Sequence, residues 1–551
     1  MPEFSNPFHE QKPTTEAVLI QESESFGTRL RDTLLAPLFY HTKKSFLVIA
    51  LVCLLGLGMC LAPWFLPVAL GVAIGLTILG GLVTLLTGLA LFVNAHLFGW
   101  EDSSTDNEYA VVANEPVYND NNELMGSATL SYHVADVANP DKKVPHLIID
   151  AANHYNCGYV QGYKLADQGQ QMLAKLKRIY SALRLLNGVG YKIPVWGDER
   201  MIQPFYAPLP DCLKEELNGV VSGHNKWAQA NGQPDITLGD VMMLHMLPDI
   251  HNIKGMAVGG ELLSSGCTAG VTKDANGGVV HFRNTDWASY NLAGRVSLFI
   301  ERHIGNEEHS RTASFPLCVG AAYGENDKGL TLSINVSPGA TVFNSKGKLA
   351  FLLYRELLKD CDSVAAVKER IKTDPKSQPI GPCQLTVSDA KDGAIIRFYQ
   401  SCSKDDAVDG ALSVESRAKD GYRFTHDISE LSEDHSLLVV ANEGLVKNAE
   451  GGYTRGNHHD SRQRIQNVHQ VLAREGCARG VNDALTALRA PLVNNCESIN
   501  TIIKQGSQTY FSASNGYSAR FFPASVGAVS KPAVALAVVL PEVYAPVKAV
   551  A

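Results

Sequence analysis

From Ser45 to Trp100 the chain runs for 56 residues without an Asp, Glu, Lys or Arg. A helix in a soluble core keeps a polar face, so a charge-free run of that length is expected to sit in a bilayer. Pro63 and Pro67, in Ala62-Pro63-Trp64-Phe65-Leu66-Pro67, break a helix and divide the run into 18 residues, Ser45 to Ala62, and a longer apolar stretch to about Val93. The reading is a transmembrane helical hairpin over 45–98, with a single signal-anchor and a buried soluble helix pair as alternatives. A cleaved signal peptide is disfavoured, because the polar leader of 44 residues is too long. Arg29, Arg31, Lys43 and Lys44 precede the run, whereas Glu101 to Asp141 carries nine acids and no Lys or Arg. The positive-inside rule then puts the leader in the cytoplasm. Two crossings return the C-terminal part to the leader's side and one exports it, so a multi-pass membrane protein is expected with the side of the large part left open.

The rest of the chain has a globular composition. Of 551 residues 45% are hydrophobic and 19% charged, which excludes a disordered or fibrous protein. Acids outnumber bases 56 to 48 and no Lys/Arg-rich run exists, so nucleic acid is not an expected partner. Cys53 and Cys60 lie in the apolar run, and the nine other cysteines include no C-x-x-C pair, which removes a zinc ribbon or thioredoxin motif. Cys157, Cys212, Cys318, Cys361, Cys383, Cys402, Cys477 and Cys496 read as small buried residues. There is no phosphate loop, no H-E-x-x-H, no G-x-S-x-G and no dinucleotide fingerprint. His458-His459-Asp460 lacks a second ligand cluster and reads as a surface loop, so neither metal nor cofactor is expected. Oligomeric state is left open.

Residues 101–140, rich in Asp, Asn, Ser and Glu, read as a linker or irregular surface segment. Helical periodicity follows over Gly162–Leu176 and Leu183–Leu186, at Leu213–Leu217, and over Val241–Leu247 after the start signals Thr237 and Asp240. After residue 267 short β-rich runs take over: 278–282, 296–300, 330–334, 385–388, 394–398 and 436–440. Helical stretches at Leu349–Leu358 and Arg462–Arg474 lie between and after them. Strands and helices in separate blocks point to an α+β layer architecture.

One stretch carries a chemical signal. Ser264-Ser265-Gly266-Cys267-Thr268-Ala269-Gly270-Val271-Thr272, then Gly277-Gly278-Val279-Val280-His281-Phe282-Arg283-Asn284-Thr285-Asp286-Trp287, reads as strand, turn, strand. A hairpin brings the thiol at one end near Arg283 and Asp286 at the other. Arg283 can lower a thiol pKa, and Asp286 can accept from a cationic amine, which makes a nucleophile site. On residue types alone, a buried structural cysteine with a surface Arg/Asp pair is the other reading.

The stretch resembles the cysteine N-terminal-nucleophile amidases: acid ceramidase, N-acylethanolamine acid amidase, choloylglycine hydrolases, penicillin V acylase and the isopenicillin-N acyltransferase group. These carry a Cys-Thr or Cys-Ser start and then Arg-Asn-x-Asp at the spacing found here, 16 residues from Cys267 to Arg283 and 19 to Asp286. Glu215-Glu216-Leu217-Asn218-Gly219 and Leu238-Gly239-Asp240-Val241 resemble the family's segment before the nucleophile. Asn326-Asp327-Lys328-Gly329-Leu330 with Ile334-Asn335 resembles a strand pair of the family, Asn442 its late strand-ending asparagine and Arg462 the arginine that follows. The resemblance covers roughly residues 150 to 530.

It implies a four-layer αββα sandwich and a precursor that cuts itself between Gly266 and Cys267. The new α-amine of Cys267 then serves as base for its own thiol, a nearly balanced transfer because an unperturbed α-amine titrates at about 7.7–8.0 and a thiol at about 8.5. Asn442 would donate to the oxyanion, Asn335 would orient the α-amine or substrate, and Gly266 would suit a strained backbone at the cut. Together with the apolar run, the expected segments are a leader (1–44), the hairpin (45–98), a linker with helical pro-segment (99–266) and a catalytic segment (267–551). An asparagine at 335 looks more like the bile-salt and penicillin acylases than the acid ceramidases, whereas the long segment ahead of Cys267 looks more like the ceramidases. The membrane run tips the expected substrate to an N-acyl lipid amide such as ceramide or an N-acylethanolamine. Penicillin, bile-salt or peptide amidases or acyltransferases of the same fold, and an inactive membrane-tethered binding module, are the alternatives.

Overall fold

The computed structural model describes residues 80–81, 110–134, 143–186, 196–250, 266–286, 296–336, 347–374, 376–401, 412–413, 423–433, 435–442, 445–447, 453–455, 461–490, 492–493, 498–513 and 537–539. The predicted hairpin 45–98, apart from Gly80 and Gly81, lies outside the described residues, as do the leader 1–44, the His458-His459-Asp460 loop, Cys402 and Cys496. Among the described residues no helix is long and apolar enough to cross a membrane.

Ahead of Cys267 come β1 (Val112–Tyr118), β2 (Leu124–Val134), β3 (Lys143–Ala151), α1 (His154–Lys164), α2 (Ala166–Leu186), α3 (Glu199–Tyr206), α4 (Asp211–Ala230) and α5 (Leu238–Ile250). The linker expected over 101–140 is therefore corrected: residues 112–118 and 124–134 within it are β1 and β2, paired antiparallel. β1 hides this because only Val117 in it is buried, so it lacks an apolar alternation. Helix α1 opens on Asn153, whose side chain accepts from the Asn156 N–H at 2.9 Å. Helices α1 and α4 touch backbone to backbone. A Cβ at Gly158 would lie 2.0 Å from the Glu216 carbonyl oxygen, and one at Gly219 would lie 2.1 Å from that of Tyr155. No residue but glycine fits, and this approach carries Glu216 into the core.

After Cys267 come β4 (Cys267–Lys273), β5 (Val279–Asp286), β6 (Leu298–Ile304), β7 (Glu308–Ser314), β8 (Tyr323–Asn326), β9 (Thr331–Val336), α6 (Ala350–Asp360), α7 (Val364–Thr373), β10 (Cys383–Ser388), β11 (Gly393–Ser401) and β12 (Leu412–Ser413). The chain goes on through β13 (Arg423–Glu430), β14 (Leu437–Val440), the pair β15 (Leu445–Lys447) and β16 (Tyr453–Arg455), α8 (Ser461–Leu472), α9 (Val481–Leu488), β17 (Ser498–Gln505), β18 (Gln508–Ala513) and β19 (Ala537–Val539).

These strands build two main sheets. The larger runs β1-β2-β3-β6-β7-β8-β9-β10-β11-β13-β12 and the smaller β14-β4-β5-β17-β18-β19. Strands β4 and β9 to β11 bring the two sheets face to face. On the outside of the larger sheet Leu332, Ile334, Leu385 and Val387 pack with Leu353, Leu357 and Val367 of α6 and α7. Its other end packs on α1, where Ile149, Leu298 and Ile300 meet Val160. On the outside of the smaller sheet Val280, Phe282 and Ile503 pack with Val468 and Leu485 of α8 and α9. The order helix, sheet, sheet, helix is the four-layer arrangement expected. Because side chains alternate along a strand, Ser333, Asn335 and Ser388 point between the sheets. Strand β3 pairs parallel with β6, from His146↔Phe299 to Ala151↔Ile304. The residues before and after Cys267 thus share one sheet.

Candidate active site

Strands β4 and β5 form a hairpin whose turn is set by local chemistry. The Asp274 carboxylate accepts from the Asn276 and Gly278 N–H groups, both at 2.8 Å, and Gly277 takes φ +82°, which favours glycine. The register pairs Cys267 with Thr285 and Ala269 with Arg283, so Cys267, Arg283 and Thr285 share the face toward the larger sheet. Arg283 Nη2 lies 3.3 Å from Cys267 Sγ. The same guanidinium donates to Thr285 Oγ1 at 2.8 Å, to Asn335 Oδ1 at 3.0 Å and to the Ile334 carbonyl. Four partners fix its direction, and the thiol is one of them.

The other groups come from elements that close on this hairpin. Strand β14 pairs with β4, with Val440 opposite Ala269, and so delivers Asn442 level with Cys267. Asn442 Oδ1 accepts from the Cys267 backbone N–H at 2.6 Å and from Arg464 Nη2 at 2.7 Å, while its Nδ2 donates to the Val336 carbonyl at 2.7 Å. Two donors on one atom and a carbonyl on the other fix the amide orientation. The expected role is thus altered in the uncleaved chain: Asn442 holds the Cys267 nitrogen through its carbonyl, and its N–H is engaged by Val336. Asn335 accepts from Arg283 and donates to the Val440 and Ala441 carbonyls at 3.2 and 3.4 Å, tying β9 to β14. It orients Arg283 and not the α-nitrogen.

Arg462 and Arg464 differ in burial. Arg462 is exposed on the first turn of α8, whereas Arg464, which the sequence reading did not pick out, is 1% exposed and faces the thiol's residue. Arg464 Nη1 donates to the Cys267 carbonyl at 2.7 Å and to Thr268 Oγ1 at 3.0 Å. A signal for it existed, since Arg464 stands on the helical stripe of Ser461, Ile465, Val468 and Leu472, all buried. Asp286, on the opposite face of β5, accepts from Ser498 Oγ at 2.5 Å and lies 3.9 Å from Arg464 Nη1. A Cβ on Gly266 would first meet Asp286 Oδ2 at 3.4 Å, an ordinary contact.

Cys267 is 2% exposed and Asp286 fully buried. Burial pushes the Cys267 thiol up, against the pull of Arg283, with Asp286 adding to the rise and the Asp286 backbone amide and Arg464 opposing it. Arg283 is held below its ordinary value, first by burial. Arg283 thus faces a thiol that burial keeps protonated, and a base nearby would release a thiolate already beside a cation. Among the described residues no group of three or more His, Cys, Asp or Glu side chains is arranged to hold a metal ion.

No family model and no curated protein matches the chain. Among solved structures it is similar to a Caenorhabditis elegans ortholog of N-acylethanolamine-hydrolyzing acid amidase, at 16% identity and a TM-score of 0.32, over 43% of this chain and 92% of that one. It is also similar to two variants of the conjugated bile acid hydrolase from Clostridium perfringens, each at 12% identity over 45% of this chain and 89% of theirs, with TM-scores of 0.29 and 0.28. The geometry around Cys267, and not these distant likenesses, carries the reading that follows.

Proposed function

We propose that the chain is a self-processing cysteine amidase that hydrolyses linear amide C–N bonds. The observation that carries this is the pairing at one residue: the Cys267 thiol faces Arg283 at 3.3 Å while its backbone nitrogen rests on Asn442 at 2.6 Å. The nucleophile and the atom that would become its base are held by separate partners. In the first step Cys267 Sγ attacks the Gly266 carbonyl carbon, the C–N bond breaks and the thiol proton passes to the departing nitrogen, leaving a thioester. Water then hydrolyses the thioester, freeing the Gly266 carboxyl and the Cys267 thiol. Cys267 now carries an α-amine.

In turnover that amine, which ordinarily titrates close to a thiol, takes the thiol proton, and the thiolate attacks the substrate carbonyl. The proton goes to the leaving amine, and water releases the acyl group from the second thioester. Arg283 stabilises the thiolate, Asn442 holds the amine, and Arg464 with Asp286 anchors the Cys267 backbone. The substrate we assign is an N-acyl lipid amide of the ceramide or N-acylethanolamine type. What supports it is the charge-free run at 45–98, which would keep the enzyme at a bilayer where such amides reside.

Intact mass tests the mechanism. The purified protein should contain pieces 1–266 and 267–551, and Cys267→Ala should give one uncleaved chain without amidase activity. A fully active unbroken chain would sink the reading. Parallel assays with an acyl-sphingosine, penicillin V and a conjugated bile acid decide the substrate class. Protease protection on closed vesicles decides the topology, with equal accessibility of the leader and the C-terminal part expected for the hairpin.

A further inference from the structure

His281 has no place in that mechanism, yet it stands two residues before Arg283 and so on the same face of β5. It is 1% exposed, between the two sheets. Its Nδ1 lies 2.9 Å from Ser388 Oγ of β10 and its Nε2 2.8 Å from Ser333 Oγ of β9. The ring meets Tyr323 of β8 edge-on, centroids 5.9 Å apart. Ser333 is in turn two residues before Asn335, the partner of Arg283. Strand β5 is therefore tied to β9 at two successive inward positions, His281 to Ser333 and Arg283 to Asn335.

The chemistry of the ring suits a spacer. Burial, and then the charge of Arg283, hold His281 down to about 3, so it stays neutral at working pH. A neutral imidazole has one donor and one acceptor, and a hydroxyl can answer either. Both serines are satisfied without adding a charge beside Arg283. We infer that His281 is a positioning residue that sets the separation of β5 from β9 and thereby aims the Arg283 guanidinium at the Cys267 thiol. The consequence for turnover rests on the function proposed above, but the aim of Arg283 does not. A guanidinium displaced by about an ångström from the thiol loses much of its effect on it, since charge stabilisation in a buried site depends on fixed geometry.

The test is a four-way comparison of the full chain: wild type, His281→Phe, Arg283→Gln and the double variant. Cys267 thiolate formation is read by ultraviolet absorbance against pH, with Cys267→Ala in each background as blank. His281→Phe keeps the bulk of the ring and removes both hydrogen bonds. It should raise the Cys267 midpoint by about one pH unit, a tenfold loss of thiolate at fixed pH. In the Arg283→Gln background it should add nothing, because the effect passes through Arg283. His281→Asn, which keeps a donor and an acceptor, should restore part of the shift. A shift of equal size in both backgrounds, or none in either, overturns the inference. If His281→Phe does not fold, Ser333→Ala, which cuts one tie and leaves the ring, enters the same comparison under the same criteria. A wild-type chain that neither cuts itself nor hydrolyses an amide would sink the proposed function, while the titration, which needs no turnover, still decides the role of His281.

Discussion

Two arginines separated by one residue in α8 differ in burial. Arg464 spans the Cys267 carbonyl, Thr268, Asn442 and, at 3.4 Å, Ser461, whereas Arg462 is exposed. Arg464→Gln should therefore slow the appearance of the 267–551 piece at least tenfold and lower stability by about 1–3 kcal/mol, the cost of leaving buried acceptors without a donor. Arg462→Gln, at an exposed position, should have the smaller effect on both, as followed by intact mass and denaturant titration. Gly266→Ala gives a second discriminating result. Among the described residues its Cβ would meet nothing closer than 3.4 Å, so the variant should cleave at the wild-type rate. A block would show that glycine's freedom is needed during the attack itself. Cys267, Arg283 and Asp286 were legible because their spacing is local to one hairpin. Arg464 was less so, because what singles it out is which side of a helix faces the sheet, and the residue beside the expected motif position is also an arginine.

At the scale of the elements, the interleaved glycines of α1 and α4 matter most. Adding a Cβ at Gly158 or Gly219 places it about 2 Å from a backbone carbonyl oxygen, which no rotamer change relieves. The helices must separate, and Glu216, one turn before Val220 on α4, would draw away from Arg302 on β6 and Arg355 on α6, now 3.1 and 3.2 Å from its carboxylate. Gly158→Ala and Gly219→Ala should each cost about 1–3 kcal/mol or more, as overpacked cores do, measured as a drop in denaturation midpoint. Strands with a continuous apolar or alternating pattern, β5, β9, β10, β11 and β14, were readable in the chain, as were α6 and α8. β1 was not, because it is the edge strand of the larger sheet, where water replaces a partner and polar residues are tolerated, and β2 beside it carries Gly126, Ser127, Thr129 and Ser131 among its apolar residues. The pairing of β3 with β6 lies across more than a hundred residues, and nothing local encodes it.

That pairing shapes what holds for the molecule as a whole. Asp150 of β3 and His303 of β6 are register partners, and their side chains meet at 2.8 Å, with Glu301 on the other ring nitrogen at 2.9 Å. The hydrogen bond to Asp150, then that to Glu301, holds His303 up to about 9. A folded pKa above the unfolded value of about 6.5 means that the bridge contributes fully below pH 6.5 and is lost as pH rises through about 9. The denaturation midpoint should therefore fall between pH 7 and 10, and His303→Gln should flatten that fall.

The same architecture predicts what the proposed cleavage before Cys267 would leave. The contacts that cross from 1–266 to 267–551 include the parallel ladder of β3 on β6, the Glu216 carboxylate on Arg302 and Arg355, the Asp249 carboxylate accepting from the Ala350 N–H at 2.9 Å, and His245 Nε2 accepting from the Val319 and Gly320 N–H groups at 3.1 and 3.2 Å. These lie in the core, so separation would expose a sheet edge and strand buried charges. Burial raises the Glu216 carboxyl, but Arg355, the His154 hydrogen bond and Arg302 outweigh it and hold the group ionised below its ordinary range. Removing one partner of such a buried pair typically costs about 3–5 kcal/mol because the other charge is left alone. The cleaved protein should thus run as one species in native size-exclusion chromatography and as two pieces, of 266 and 285 residues by the position of Cys267 in the sequence, only in denaturant. Glu216→Gln should lower the denaturant concentration at which they part without changing the masses. Pieces that separated freely in native buffer would show that the β3–β6 ladder and the Glu216 cluster do not hold the cut molecule together.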